Sequence, residues 1–225
     1  IKDQISNLIK GLKERPLATD HIVNAWNVGD LEDMALQPCH YGFQIIVKPL
    51  PIHKRKELGS KYLGALPKLA TAKDYEQFLN DNNISKYGFE LHWQQRSVDT
   101  FLGLPFNIAS YATLALILEK ITGYKALAIQ GDLKKVHLYD NSLDAVKEQL
   151  SRDVNKYDKC ELQLSSYIID KYTGSPEDLM SNPMEKWDKH EALNNMLINL
   201  EIEDFQLQNY ESYPHIKVEM LERDE

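Results

Sequence analysis

The 225-residue sequence has few cysteines and no uninterrupted apolar run long enough to cross a membrane. Two cysteines, Cys39 and Cys160, are too few for a disulfide scaffold in a chain of this size, so each is expected to be a free thiol in a reducing compartment. A membrane helix needs about 18 apolar residues, and the first residues lack the apolar core of a secretory signal. We therefore expect a cytoplasmic protein with no membrane partner.

Positive charge is also in short supply. The sequence has 26 Lys and Arg residues against 34 Asp and Glu residues, which gives a formal net charge of −8. Proteins that wrap a nucleic-acid backbone rely on a surplus of Lys and Arg, so no nucleic-acid partner is expected. A single pocket with a few Arg, Ser and backbone N–H groups could still bind a small anion.

The sequence does contain enough apolar material for a sizeable core. Hydrophobic residues make up 43% of the chain and charged residues 27%, which is typical of a globular protein. The length fits one domain over residues 1–225, and the sequence has no internal repeat or low-complexity segment. Several predicted strands with few helices indicate an α+β fold.

Strands are predicted where apolar and polar residues alternate or where β-branched and aromatic residues cluster. These patterns fall at residues 21–28, 42–48, 89–95, 161–170 and 204–210. Prolines and lysines are frequent in residues 49–87, which we interpret as an insertion between two strands with one weakly helical piece at 72–80.

Three other segments are predicted to be helices. Apolar residues recur at helical spacing over residues 1–14, and a shorter helix follows Asn141 and Ser142, either of which could cap it. Residues 108–122 are apolar almost all round the predicted helix. We expect this to be a buried central helix.

Cys39 is the first candidate for chemistry. A lone cysteine is most often a small buried hydrophobe. Cys39 stands between Pro38 and His40 at a predicted loop-to-strand junction, where a partly exposed thiol near positive charge could act as a thiolate nucleophile. Residue type alone favours a buried, structural role for Cys39.

A second candidate site lies in residues 95–111, QRSVDTFLGLPFNIASY, where polar residues surround a Gly-Leu-Pro turn. Burying such side chains without hydrogen-bond partners costs about 1–3 kcal/mol each, and a ligand could supply the partners. A polar turn solvated at the edge of a sheet explains the same pattern. Spacing alone does not separate the two interpretations.

Long motifs connect these candidates. IVNAWNVGDL, MALQPCHYGFQ, QRSVDTFLGLPFNIASY, VHLY and YPHIK together resemble the folate-dependent thymidylate synthase family, in the same order and at plausible separations. The resemblance covers residues 1 to about 152 apart from 49–87, and resumes near the C-terminus. It implies a large mixed sheet packed around a buried central helix, in a homodimer.

By position in these motifs, the resemblance makes Cys39 the nucleophile that adds to C6 of the uracil of dUMP, which activates C5 toward the one-carbon unit of methylenetetrahydrofolate. It implies catalytic roles for Arg96, which would hold the nucleotide phosphate near the cysteine sulfur, and for Asp99, which would serve both nucleotide and folate. The implied product is dTMP, the folate is a co-substrate, and no metal is implied.

The resemblance also assigns residues that bind the substrates. Asn107 would donate to O4 and accept from N3–H of the pyrimidine, which selects uracil. His137 and Tyr139 would bind the 3′-hydroxyl of the sugar, and Leu221 in the C-terminal tail would contact the folate. Further substrate contacts would come from Gln95, Ser97, Val98 and Gly103.

The sequence departs from the family pattern at three places. Family members carry two adjacent arginines that reach a phosphate across the dimer interface, whereas here Thr19 and Asp20 occupy those positions, which predicts weaker phosphate binding. The family has roughly a further third before residue 1. Its members end in a small apolar tail, whereas this sequence ends MLERDE.

Two alternative functions stay open from the sequence. A dUMP hydroxymethylase of the same superfamily would use the same cysteine attack but trap the intermediate with water instead of hydride. A non-catalytic paralogue would keep only the fold and the dimer surface, and the intact motif residues argue against it.

Overall fold

A computed structural model describes residues 3–165 and 200–219. The chain divides into two compact units, each made of two separate segments. Unit 1 comprises Ile1–Gln94 and Leu114–Asp132, and unit 2 comprises Gln95–Thr113 and Leu133–Glu225. That the whole chain is one domain stays a prediction.

Five α-helices and eight strands lie within the described residues. The helices are α1 (Gln4–Glu14), α2 (Ile52–Leu63), α3 (Ala72–Asp81), α4 (Leu104–Thr122) and α5 (Leu143–Ser151). The strands are β1 (Ile22–Asn24), β2 (His40–Pro49), β3 (Tyr87–Gln95), β4 (Val98–Asp99), β5 (Lys125–Leu133), β6 (Val136–His137), β7 (Glu161–Leu164) and β8 (Phe205–Gln208). Both parallel and antiparallel strand pairs occur, which agrees with the predicted α+β class.

Unit 1 is built on a four-stranded sheet with the order β1-β2-β3-β5. Strand β3 has the predicted alternation, because Phe89, Leu91 and Trp93 are buried. Helix α1 is capped by Asp3, whose Oδ1 accepts hydrogen bonds from two first-turn N–H groups. Its apolar face is buried, as the helical spacing predicted.

Strand β1 is much shorter than the predicted strand over residues 21–28. Asn24 Oδ1 accepts a hydrogen bond from the Trp26 N–H group at 2.9 Å, and the Asn27 side chain caps a 3₁₀ helix, Val28–Asp33. Asparagine side chains that bond to the nearby backbone compete with strand pairing, so the strand ends at Asn24.

Residues 49–87 contain two helices where the sequence predicted one. Helix α3 is found where it was expected, with a capping box formed by Thr71 and Asp74. Helix α2 was missed because the prolines before it indicated a loop, whereas Pro51 only marks its N-cap position. That the segment is an insertion stays a prediction.

Helix α4 begins at Leu104, four residues before the predicted start, because proline is tolerated in a first helical turn. The expected burial all round this helix is wrong for the described residues. Only Ala115, Leu118 and Ile121 are buried, while the Phe106 side chain is 73% exposed, because the described part of the chain covers one face. By length and composition alone α4 could cross a membrane, a property shared by core helices of soluble proteins.

Unit 2 contains two small sheets, a parallel pair of β4 with β6 and an antiparallel pair of β7 with β8. Strands β7 and β8 confirm parts of the predicted strands at 161–170 and 204–210, and residues 166–170 lie outside the described residues. Helix α5 has Ser142 at its N-cap, although the Ser142 hydroxyl forms no cap hydrogen bond there.

Candidate active site

Cys39 lies in unit 1, at the last position before strand β2, which confirms the predicted loop-to-strand junction. Its side chain is half-buried. Pairing of β1 with β2 places Asn24 opposite Gly42, and a Cβ on Gly42 would meet the Val23 carbonyl oxygen at 2.9 Å. Close pairing of β1 therefore holds the strand that follows the cysteine.

His40 follows the cysteine and is the first residue of β2. Its imidazole is half-buried, and desolvation lowers its pKa from the usual value of 6.5. Burial therefore disfavours the charged imidazolium, so His40 is a poor source of positive charge beside Cys39.

Gln95 is the centre of the polar cluster in unit 2. It is 3% exposed, and its Nε2 group donates to the Asn107 Oδ1 atom at 2.9 Å and to the Ser97 carbonyl oxygen at 3.1 Å. Ser97 is itself buried. These bonds connect the end of β3 with the first turns of α4, so three of the predicted site residues lie together.

Asp99 shapes the turn that leads into α4. Its Oδ1 atom accepts hydrogen bonds from the N–H groups of Phe101 at 3.0 Å and Leu102 at 3.3 Å. A Cβ on Gly103 would lie 3.0 Å from the Asp99 carbonyl oxygen, which a larger residue would crowd. The Gly103 carbonyl oxygen accepts a hydrogen bond from the Asn107 N–H group. This turn therefore helps to position Asn107.

His137 and Tyr139 also lie together in unit 2. Their ring centroids are 5.1 Å apart in an edge-to-face arrangement. In strand register, Val98 lies opposite Val136 and Asp99 opposite His137. Strand β4 therefore brings the histidine beside the Asp99 turn.

Sequence reasoning missed two residues that hold His137. The Thr100 N–H and hydroxyl groups both donate to the His137 carbonyl oxygen at 3.0 Å, and the His137 Nδ1 atom lies 2.9 Å from the Lys135 carbonyl oxygen. Since a carbonyl only accepts, the neutral ring carries its proton on Nδ1 and leaves Nε2 as an acceptor. Thr100 lies inside the QRSVDTFLG motif, but only the fold shows its partner.

Arg96 is half-buried and lies between β3 and β4 in unit 2. Its predicted proximity to the Cys39 sulfur stays a prediction. Leu221 lies outside the described residues. No cluster of three or more His, Cys, Asp or Glu side chains suited to a metal is found in residues 3–165 and 200–219.

The two positions that depart from the family pattern lie before β1 and are exposed. The Asp20 carboxylate is 3.0 Å from the Arg15 Nη2 atom, and this hydrogen-bonded pair lowers the pKa of Asp20. The Thr19 carbonyl oxygen accepts a hydrogen bond from the Gln44 side chain. Asp20 therefore stays ionised at neutral pH, where its charge would oppose a phosphate.

The mixed parallel and antiparallel strand pairs and the helices define an α+β protein, and comparisons with known proteins show its family. The family model described as thymidylate synthase matches residues 1–222. A "Probable thymidylate synthase" of Escherichia phage T5 is 34% identical over 219 residues, which cover 97% of this chain and 57% of the phage protein. The chain belongs to the thymidylate synthase family.

Solved structures give the same result. The thymidylate synthase from T4 phage has a TM-score of 0.63 and 31% sequence identity, over 97% of this chain and 58% of that one. The thermostable thymidylate synthase A from Bacillus subtilis has a TM-score of 0.60 and 25% identity, over 96% of this chain and 54% of that one. The chain thus spans somewhat more than half the length of these relatives.

Proposed function

We propose that this chain carries the reductive methylation of dUMP to dTMP, with methylenetetrahydrofolate as co-substrate and a covalent adduct at Cys39. Its family uses methylenetetrahydrofolate and binds dUMP. Because the chain covers 57% of the phage T5 relative, assays should use the longest natural polypeptide that contains these residues.

The observation that carries the proposal is the orientation of Asn107. Gln95 donates to the Asn107 Oδ1 atom, which fixes that atom as the acceptor side of the amide and Nδ2 as the donor side. An oxygen with two lone pairs can accept from Gln95 and also from a ligand N–H. This donor and acceptor pair matches O4 and N3–H of uracil.

His137 supports recognition of the sugar. Its Nδ1 atom is engaged by the Lys135 carbonyl oxygen, so Nε2 of the neutral ring can accept a hydrogen bond from a 3′-hydroxyl. The Tyr139 ring packs against the imidazole and limits its rotation. Both residues therefore suit the proposed contact.

Arg96 and Ser97 are proposed to bind the nucleotide phosphate. A guanidinium forms strong charge-assisted hydrogen bonds to phosphate, and a serine hydroxyl can donate to the same group. Asp99 uses Oδ1 in its turn, so its proposed contacts with nucleotide and folate use Oδ2. Gln95, Val98 and Gly103 are proposed to form the remaining contacts with the nucleotide.

The proposed reaction begins when the Cys39 thiolate adds to C6 of the uracil. The new carbon–sulfur bond shifts electron density to C5 and O4, and C5 then forms a bond to the one-carbon unit. The C5 proton is then lost, and the two carbon–nitrogen bonds that join the one-carbon unit to the folate break. Hydride transfer from the reduced folate to that carbon gives the methyl group and dihydrofolate, and departure of the Cys39 thiolate restores the C5–C6 double bond and frees the enzyme.

Methyl transfer is favoured over hydroxymethyl transfer because the relatives named above are all thymidylate synthases. A homodimer is also proposed, since Ile22 on β1 and Leu127 on β5 are exposed apolar side chains of the unit 1 sheet. Location in the cytoplasm stays a prediction from the sequence.

Turnover assays with matched cysteine variants test the proposal. Mixing the protein with dUMP and methylenetetrahydrofolate is expected to form dTMP and dihydrofolate in equal amounts, followed by absorbance and chromatography. Cys39→Ala should abolish turnover without unfolding the protein, whereas Cys160→Ser, at an exposed cysteine, should retain it. Turnover by Cys39→Ala would refute the nucleophile assignment, and hydroxymethyl product without dihydrofolate would identify the hydroxymethylase instead.

A further inference from the structure

A cavity of about 450 Å³ lies in unit 1, within the segment between β2 and β3. Arg55, Lys73, Glu76 and Lys86 line it together with apolar residues that include Leu50 and Tyr87. Cavities of this volume are typical of small-molecule sites. The lining residues all belong to residues 49–87, and none of them has a role in the proposed methylation.

Arg55 is the most unusual of these residues because its charge is buried. Arg55 lies on helix α2 and is only 3% exposed. Its Nε atom donates to the Ser85 carbonyl oxygen, and Nη2 donates to Asn80 Oδ1 and the Ile84 carbonyl oxygen, at 2.7–3.0 Å. All three acceptors are neutral, and Nη1 donates to no acceptor among residues 3–165 and 200–219.

A buried cation with neutral partners only is costly, because desolvation disfavours its charged form. Burial accordingly lowers the pKa of the Arg55 guanidinium, and the charge of nearby Glu76 offsets part of that effect. Glu76 is an exposed residue and forms no ion pair with Arg55 within the described part of the chain. An anion in the cavity would supply the missing counter-charge.

The N-terminus of helix α2 and two exposed lysines reinforce the positive character of the cavity. Ile52 opens helix α2 and lines the cavity, and Pro51 at the N-cap offers no side-chain acceptor for the first-turn N–H groups. Lys73 lies in the first turn of α3. Neither Lys73 nor Lys86 forms an ion pair with a described carboxylate, so both ammonium groups are available to a ligand.

We propose that this cavity binds a small phosphate monoester with an apolar or aromatic body. Three cations and one carboxylate give the cavity walls a net positive charge that matches the roughly −1.5 to −2 charge of a phosphate at pH 7. Leu50 and Tyr87 provide apolar surface for the rest of the molecule. The site is distinct from the phosphate contact proposed for Arg96 and does not depend on it.

Phenyl phosphate is a suitable probe, because it joins a phosphate to an aromatic ring without a pyrimidine. Titration of the ¹⁵N-labelled chain should shift the amide resonances of Ile52, Ala72 and Lys73 in the wild-type protein and in an Arg96→Ala variant alike. Phenol, which lacks the phosphate, should leave them in place. High salt should weaken binding, since the attraction is electrostatic.

Charge reversal at the rim gives the matched comparison. Lys73→Glu and Lys86→Glu should each weaken phenyl phosphate binding by about tenfold or more, because each removes an ammonium and adds a repelling carboxylate. Lys61→Glu makes the same change in the last turn of α2, away from the cavity lining, and should alter the dissociation constant by less than about twofold.

Three results would overturn the proposal. Unshifted cavity amides at saturating probe concentration would show that the cavity does not bind the phosphate. If Lys61→Glu weakened phenyl phosphate binding as much as the cavity variants do, the effect would be one of overall charge. If the amide shifts were lost in Arg96→Ala, the probe would bind at the nucleotide site instead. Retained positions of the remaining amide resonances show that each variant is folded.

Discussion

At the scale of single residues, the proposed recognition of the base rests on one amide pair. Gln95 is buried and uses its Nε2 group to hold both Asn107 Oδ1 and the Ser97 carbonyl oxygen. Because the donor side of Asn107 is thereby fixed, the residue cannot present the reversed pattern that a cytosine edge requires. Base selection in this account therefore depends on the amide nitrogen of Asn107.

Asn107→Asp tests that dependence. A carboxylate keeps the bond from Gln95 but cannot donate to O4 of uracil, so the affinity for dUMP should fall by about tenfold or more, while affinity for dCMP rises. Isothermal titration with both nucleotides measures the two constants. Asn155→Asp, the same change at an exposed loop residue, should leave both constants unchanged.

An unchanged preference for dUMP in Asn107→Asp would show that another group reads the base. The Asn155 variant guards against a general effect of the added negative charge. If both variants weaken dUMP binding equally, the assignment of Asn107 fails.

The sequence indicated which residues are candidates for the site, but not the hydrogen bonds that join them. Motif positions were sufficient to select Gln95, Asn107 and His137. The bond between Gln95 and Asn107 spans 12 positions of sequence, and the bond from Thr100 to the His137 carbonyl oxygen spans 37. Such contacts follow from strand register and turn geometry, which no local pattern in the sequence encodes.

At the scale of secondary-structure elements, one ion pair between neighbouring strands contributes to the unit 1 sheet. Lys48 on β2 lies 2.7 Å from Glu90 on β3, and the His92 ring lies 3.2 Å from the same carboxylate. The hydrogen bond from Lys48, followed by that from His92, lowers the pKa of Glu90. The Glu90 side chain is 26% exposed and the Lys48 side chain is 52% exposed, so solvent screens much of this contact.

Glu90→Gln should therefore destabilise the protein in a pH-dependent way. A carboxyl whose folded-state pKa is lowered stabilises the fold above its unfolded pKa, near 4.5, and loses that contribution as the pH falls through the lower folded value. We expect the variant to lose about 0.5–1 kcal/mol of unfolding free energy at pH 7. The difference from wild type should narrow below pH ~4.5.

Urea unfolding at a series of pH values measures this difference. Glu32→Gln changes an exposed glutamate in the 3₁₀ helix before β2 and should give no comparable loss at pH 7. If the unfolding free energies of Glu90→Gln and wild type differed by the same amount at every pH, packing and not charge would be responsible.

The alternation in β3 and the helical spacing in α1 are properties of the sequence and appear in the structure. Helix α2 was missed because it begins directly after Pro51, and a count of prolines does not reveal a helix that follows them. Strand β1 ends early because of asparagine side chains that a strand pattern ignores.

At the scale of the whole molecule, charge is distributed unevenly. The chain has a net charge of −8, yet Arg55, Lys73 and Lys86 gather around one cavity in unit 1. Net charge argues against a nucleic-acid partner in the sequence, which stays a prediction, and it cannot report a local basic cavity. Only the fold of residues 49–87 brings these cations together.

The main failure of prediction at this scale concerns helix α4. Its apolar composition predicted a helix buried on every side, whereas Ala115, Leu118 and Ile121 are buried and Phe106 is exposed within the described residues. An apolar pattern predicts that a helix is suited to burial, but it does not say which residues pack against it.

The central claim is that Cys39 attacks the uracil ring in the presence of the folate. Intact-mass measurement after mixing with 5-fluoro-dUMP and methylenetetrahydrofolate tests it directly, because fluorine at C5 blocks the step that releases the cysteine. We expect a mass gain equal to nucleotide plus folate, present in Cys160→Ser and absent in Cys39→Ala. No mass gain in the longest natural polypeptide, or an equal gain in Cys39→Ala, would contradict it.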